Sequence, residues 1–183
     1  MPFHAALGVS TRRAWLRAVG LAALGAAVPK SLGAATEPRR LSFYGLHTGE
    51  SLDATYWTGV DYDAGALSAI DHVLRDHRTG DVKAIDTRLL DLLASLRLVL
   101  GSARPLHVIS GYRSPATNAA LHRASEGVAT NSLHLQGRAI DIRVPGVELP
   151  RLHRAAVSLE AGGVGFYPAS QFVHVDVGRV RYW

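Results

Sequence analysis

Three side chains in the second half of the chain are of the types that ligate a hydrolytic metal ion. His134 and Asp141 lie in Ser132-Leu133-His134-Leu135-Gln136-Gly137-Arg138-Ala139-Ile140-Asp141, and His174 lies in Phe172-Val173-His174-Val175-Asp176. A catalytic zinc takes three protein ligands and leaves a fourth position for water. Imidazole with carboxylate suits zinc, and the ligand types are compatible with manganese or iron as well. Each residue also has a structural reading. A loop histidine is commonly a surface residue, Asp141 between apolar neighbours can be a hydrogen-bonded carboxylate, and His174 can pair with Asp176.

Strands must present these groups, because successive side chains on a strand alternate between faces. In residues 138–144, Ile140, Ile142 and Val144 share one face and Ala139, Asp141 and Arg143 the other. In residues 172–177 the valines 173, 175 and 177 share a face, opposite Phe172, His174 and Asp176. Asp141 and His174 can thus face a cleft while aliphatic neighbours anchor their strands. His134 precedes Asp141 across a turn at Gly137 and can fold back over the strand.

The remaining pattern supplies a scaffold. Residues 36–40 read as a linker, and residues 41–47 and 51–57 as a hairpin around Thr48-Gly49-Glu50. Asp63 can cap a helix reaching about Asp76, with Leu67, Ile70, Val73 and Leu74 on one face. Asp86 can cap a second, where Leu89, Leu90, Leu93, Leu96, Val99 and Leu100 form a wide apolar stripe. Residues 106–110 read as a buried strand, and Pro115 is placed to open a helix through Leu121. Residues 124–133 read as a loop and 149–160 as a helix ended by Gly162-Gly163. Residues 164–167, 172–177 and 179–183 read as short closing strands. Helices early and antiparallel-style strands late predict an α+β fold, a mainly antiparallel sheet backed by helices.

Composition narrows the function classes. Of the 183 residues 48% are hydrophobic, enough for a core that needs no metal to hold it, and the absence of cysteine excludes disulfides, Cys-type zinc sites and a thiol nucleophile. The net charge of +5 comes from 20 basic and 15 acidic residues. Four of the bases, Arg12, Arg13, Arg17 and Lys30, lie in residues 1–35, which hold no acid, so the rest of the chain is nearly neutral and shows no footprint for nucleic acid.

Residues 1–35 read as an address, not as fold. Arg12-Arg13 stands before Trp15-Leu16-Arg17, and an apolar run over residues 18–28 follows. That run is shorter than the roughly 20 helical residues a bilayer requires. It suits a signal-peptide core, with small residues at Gly33, Ala34 and Ala35 offering a cleavage site. The pair resembles a Tat signal, which implies the Tat translocase as a transient partner, a periplasmic location and no stable membrane span in the mature form. The predicted division is a signal over residues 1–35 and one domain over residues 36–183.

Ser132-x-His134-x-x-Gly137-x-Ala139-x-Asp141, followed by a later strand histidine, resembles the signature of the D-Ala-D-Ala metallopeptidase and murein endopeptidase family, which shares its fold with the hedgehog signalling domain. Ser110-Gly111-Tyr112-Arg113-Ser114 resembles that family's arginine segment on the substrate side. The match is closer to the murein endopeptidases, and it runs from residues 41–50 through 75–80 and 109–118 to 162–183. The resemblance implies Zn2+ held by His134, Asp141 and His174. It implies Arg113 on the oxyanion of the tetrahedral intermediate and Ser132 near the substrate. Arg113 as a salt bridge holding its turn, and Ser132 as a loop cap, are the structural alternatives.

The resemblance further implies hydrolysis of peptidoglycan cross-links, between two diaminopimelates or between D-Ala and diaminopimelate. Trimming of stem peptides as a D,D- or L,D-carboxypeptidase and non-catalytic murein binding are the competing readings. The sequence departs from the wider family at one place. Three residues before the last histidine, where many members carry an acidic general base, stands Gln171, whose amide cannot take the proton. Asp176 is the nearest substitute, as base or as an acceptor that orients a ligand. His107, His122 and His153 are reserves.

Overall fold

A computed structural model of the chain describes residues 37–124 and 129–183. The expected signal over residues 1–35 lies outside the described residues. Elements follow in the order β1 (Arg39–Gly45), β2 (Ser51–Trp57), α1 (Ala64–Val73), α2 (Thr87–Leu100), β3 (Leu106–Ser110), α3 (Pro115–Ala124), a 3-10 turn (Leu133–Gln136), β4 (Ala139–Arg143), α4 (Leu149–Ser158), β5 (Gly163–Tyr167), β6 (Phe172–Asp176) and β7 (Arg181–Tyr182). One seven-stranded sheet runs β2-β1-β3-β4-β6-β5-β7. Its neighbours are antiparallel except β1 with β3 and β5 with β7. The α+β expectation holds. Among the described residues no helix is long and apolar enough to cross a membrane.

Capping chemistry fixes the helices. The Asp63 carboxylate accepts from Ala66 N at the start of α1, and the Asp86 carboxylate accepts from Arg88 N at the start of α2. Each satisfies a backbone donor that the first turn leaves free. Gly101, at φ 61°, closes α2.

Several boundaries move for local reasons. Arg39 and Arg40 pair with Trp57 and Thr55, so residues read as linker begin β1. Helix α1 stops at Val73 because the backbone then leaves the helical ladder, with Leu74 O accepting from Tyr112 N and Asp76 N donating to Asp81 O. Helix α3 runs on to Ala124, and α4 ends at Ser158 ahead of Glu160, whose φ of 48° no α-helix tolerates. The segment read as loop gives way to the 3-10 turn at Leu133.

The core sits on one face of the sheet. Leu41, Phe43, Leu106, Val108, Ile140, Ile142, Val173 and Val175 pack with the inner faces of α2 and α4. The α2 stripe consists of Leu89, Leu90, Leu92, Leu93, Leu96 and Leu100, whereas Val99 is about half exposed. The face away from α2 and α4 carries Asp141, His174 and Asp176, which the strand alternation places opposite the core residues.

Candidate metal centre

His134 is delivered by the 3-10 turn. The Ser132 hydroxyl caps that turn by accepting from His134 N at 3.4 Å, and Gly137 closes it at φ 66°. A β-carbon on Gly137 would lie 2.4 Å from Ala84 O, so the turn can be this tight only with glycine. His134 Nδ1 stands 2.6 Å from Gly111 O. A carbonyl only accepts, so Nδ1 carries the proton and Nε2 presents its lone pair.

Asp141 and His174 are cross-strand partners on β4 and β6. His174 Nε2 stands 3.1 Å from Asp176 Oδ2, an acceptor, which leaves Nδ1 with its lone pair facing the other way. That nitrogen is 2.8 Å from Asp141 Oδ1 and 3.2 Å from His134 Nε2, and His134 Nε2 is 3.3 Å from Asp141 Oδ1. Three acceptors converging at this range repel unless a cation or proton lies among them. Ligand atoms about 2.05 Å from a tetrahedral zinc would be about 3.3 Å apart, so the donor set fits such an ion with small adjustment. All three residues are buried.

The outer groups tune the inner ones. Burial alone would raise the Asp141 carboxyl, but the imidazoles of His134 and His174 against it outweigh burial and hold the group well below the usual carboxylate range. Burial keeps His134 on the neutral side, Asp141 pulling the other way. Burial also opposes charge on His174, yet the hydrogen bonds of Asp141 and Asp176 raise it. Arg113 forms an ion pair with Asp141 Oδ2 through Nη2 and donates from Nε to Ser110 Oγ at 2.8 Å. It therefore holds the outer oxygen of Asp141 while Oδ1 faces the cluster.

Asp176 lies behind the His174 ring, fully buried, and accepts from Gly163 N, Gly178 N and Arg181 as well. The ring separates it from the converging atoms. Asp176 Oδ2 thus occupies the position of an acceptor that orients His174. Burial would raise its carboxyl, but the bonds from His174, Gly178 and Arg181 depress it strongly. Ser132 occupies the capping position and also borders the cleft. Gln171 adopts φ 56° in a turn back to Pro168 and lines a separate cavity with His107 and Arg143. His153 packs on Phe166 at 4.9 Å, and His122 lies on α3.

The cleft over the centre has a volume of about 610 Å³. Its walls include His47, Arg78, Tyr167 and Trp183, which sequence reasoning did not single out. The Trp183 ring lies 5.3 Å from that of His174 and 4.9 Å from the Arg181 guanidinium. It occupies the space over Gly165, where a β-carbon would come within 2.6 Å of it. Asp76 was also missed. It ties the Arg113 turn to the end of α1 by accepting from Ser114 N, 38 residues away. His47 and Arg78 fall inside the stretches that carry the family resemblance, which was their available signal.

Inward-turned ligand atoms on a buried polar sheet face, open to a cleft, define a candidate hydrolytic metal centre. The chain belongs to an M15 peptidase family: the family model described as peptidoglycan L,D-endopeptidase MepK matches residues 33–183. It is 44% identical over 172 residues to the peptidoglycan L,D-endopeptidase MepK of Escherichia coli (strain K12), covering 92% of this chain and 94% of that protein. The Shigella flexneri protein of the same name matches to the same extent. The probable peptidoglycan L,D-endopeptidase MepK of Haemophilus influenzae is 40% identical over 176 residues, covering 94% and 95% of the two chains.

Proposed function

We propose that this peptidase is a zinc-dependent peptidoglycan endopeptidase that hydrolyses peptide cross-links. The observation that carries the reading is the convergence of His134 Nε2, Asp141 Oδ1 and His174 Nδ1, with the outer nitrogen of each imidazole committed to an acceptor. The names of the relatives support peptidoglycan as substrate and the L,D class of bond.

His134, Asp141 and His174 would hold the ion. When bound, zinc supplies acidity to a water and polarises the scissile carbonyl. Arg113 keeps Asp141 turned toward the centre and puts positive charge on the cleft wall, where charge on the carbonyl oxygen develops. Asp176 holds the proton on His174 Nε2 and so keeps Nδ1 available. It acts as a positioning carboxylate, because the imidazole stands between it and the reacting atoms. Ser132 acts through His134 by capping its turn.

Digestion of purified cross-linked muropeptides tests the reading. Dimers are expected to become monomers, with activity lost to a chelator, restored by zinc and absent in Asp141→Ala. Monomers that are shortened while dimers persist would indicate a carboxypeptidase. Stoichiometric zinc with no product of either kind would leave only a binding protein.

We further propose that residues 1–35 direct export through the Tat translocase to the periplasm, supported by Arg12-Arg13 and the apolar run that follows. Replacing both arginines with lysine is expected to trap the protein in the cytoplasm in a cell fractionation; continued appearance in the periplasm would exclude this route.

A further inference from the structure

We propose that Arg78 is a subsite for a free carboxylate of the peptide substrate, set into the cleft wall by the buried carboxylate of Asp76. The proposal rests on the peptidase reading given above. Arg78, Arg113 and Arg181 all border the cleft, and the acid among its lining residues is Asp141. Arg113 is paired with Asp141 and Arg181 with Asp176. Among the described residues the Arg78 guanidinium has neither an acidic nor a hydrogen-bonding partner, although its backbone is held. The cleft thus carries one uncompensated cationic fork beside its metal centre.

The backbone under Arg78 is built, not loose. Asp76 is 1% exposed. Its Oδ1 accepts from Arg78 N at 2.9 Å and its Oδ2 from Ser114 N at 2.8 Å, next to Arg113. The loop closes on itself through Asp76 N to Asp81 O and Gly80 N to Asp76 O. Tyr112 N donates to Leu74 O at 2.8 Å, and a β-carbon on Gly111 would lie 2.4 Å from that oxygen, so the two segments touch directly. On the other side Arg75 holds both oxygens of Glu50 at 2.7 and 3.0 Å, and His77 stacks on His47 at 4.2 Å. One short loop is therefore fastened both to the hairpin turn and to the turn that carries Arg113.

A fixed backbone bearing an exposed, unpaired arginine does little for stability. It suits recognition, because a planar guanidinium matches a carboxylate with two parallel hydrogen bonds. Peptides of the proposed substrate class carry free carboxylates, and the neighbouring His47 imidazole offers a further donor on the same wall.

Steady-state cleavage of two defined cross-linked dimers tests this, one with free carboxylates and one with them amidated. Wild type and Arg78→Gln and Arg78→Lys variants are loaded with zinc and checked by circular dichroism. On the free-acid dimer Arg78→Gln is expected to raise KM roughly 10- to 100-fold, the range of a charge-assisted hydrogen bond, while kcat falls much less. Arg78→Lys restores part of the loss. On the amidated dimer the kcat/KM penalty of Arg78→Gln shrinks at least about fivefold. Equal penalties on both dimers, or no penalty on either, overturn the subsite while leaving the peptidase reading intact. Wild-type protein that cleaves neither dimer overturns the cross-link endopeptidase reading and the subsite with it.

Discussion

Ile140 and Asp141 are neighbours on β4 and almost equally buried, at 0% and 2% exposed, yet they face two different interiors. Beneath Ile140 lies a leucine-rich layer closed by α2 and α4. Above Asp141 lies a set of imidazoles, carboxylates and arginines in which each group is held by the next. The first interior is non-directional: a side chain of suitable size and polarity satisfies it. The second is directional, and each member needs a specific partner at hydrogen-bond range. One face therefore carries the apolar core and the other the candidate metal centre, and the two are separated by the thickness of a single strand.

Substitutions on either side of that strand should part stability from activity. The largest effect is expected from His134→Ala or Asp141→Ala, which remove a proposed metal ligand. Loss of activity should go well beyond the roughly 100-fold ceiling of an outer-shell change, with metal content near zero by elemental analysis. Ile140→Ala, one residue away, should instead cost about 2–5 kcal/mol in denaturant unfolding, with the folded fraction still active. A large fall in turnover per folded molecule for Ile140→Ala would break the division.

Asp176→Asn probes the seam between the interiors. It is expected to weaken metal affinity by about 10- to 100-fold, measured by competition with a chelating dye, and to lower activity at limiting zinc more than at saturating zinc. An equal loss at both would point to a direct part in proton transfer. Asp76 gives a pH signature. Its carboxyl is depressed from 3.8 to about 2, since hydrogen bonds from Thr117, Ser114 and Arg78 outweigh the opposing effect of burial. A depressed group adds stability above its unfolded value and loses it as pH falls through the folded one. Wild type should thus lose on the order of 1–2 kcal/mol more than Asp76→Asn between about pH 4 and pH 2. The smallest effect is expected for Ser132→Ala. A lost cap costs about 0.5–1 kcal/mol with kcat little changed, and Ser132→Asp should restore the stability. A hundredfold fall in kcat in Ser132→Ala would instead assign the hydroxyl to the substrate.

The same division explains what could be read from the sequence. Strand alternation put Ile140 and Ile142 opposite Asp141, and Val173 and Val175 opposite His174, because burial of one face leaves a period of two in the residue types. The caps Asp63 and Asp86 were legible because a cap acts within four residues. The side of the His174 ring on which Asp176 sits was not, since it depends on Gly163, Gly178 and Arg181 closing around one carboxylate. Nor was the Asp76 clamp, whose partner Ser114 is 38 residues away. The resemblance named His134, Asp141 and His174 as candidate ligands, and the hydrogen bonds show which atom of each turns toward the others.

Trp183 gives the cleft an optical consequence. The chain has three tryptophans, Trp15, Trp57 and Trp183, and the ring of Trp183 rests against His174 and Arg181. Indole emission responds to charge and polarity within a few ångströms. In a Trp57→Phe variant lacking residues 1–35, the indole emission, excited selectively over the tyrosines, would come from this one ring. Its intensity and wavelength should then report filling of the centre in real time, without any label placed in the cleft.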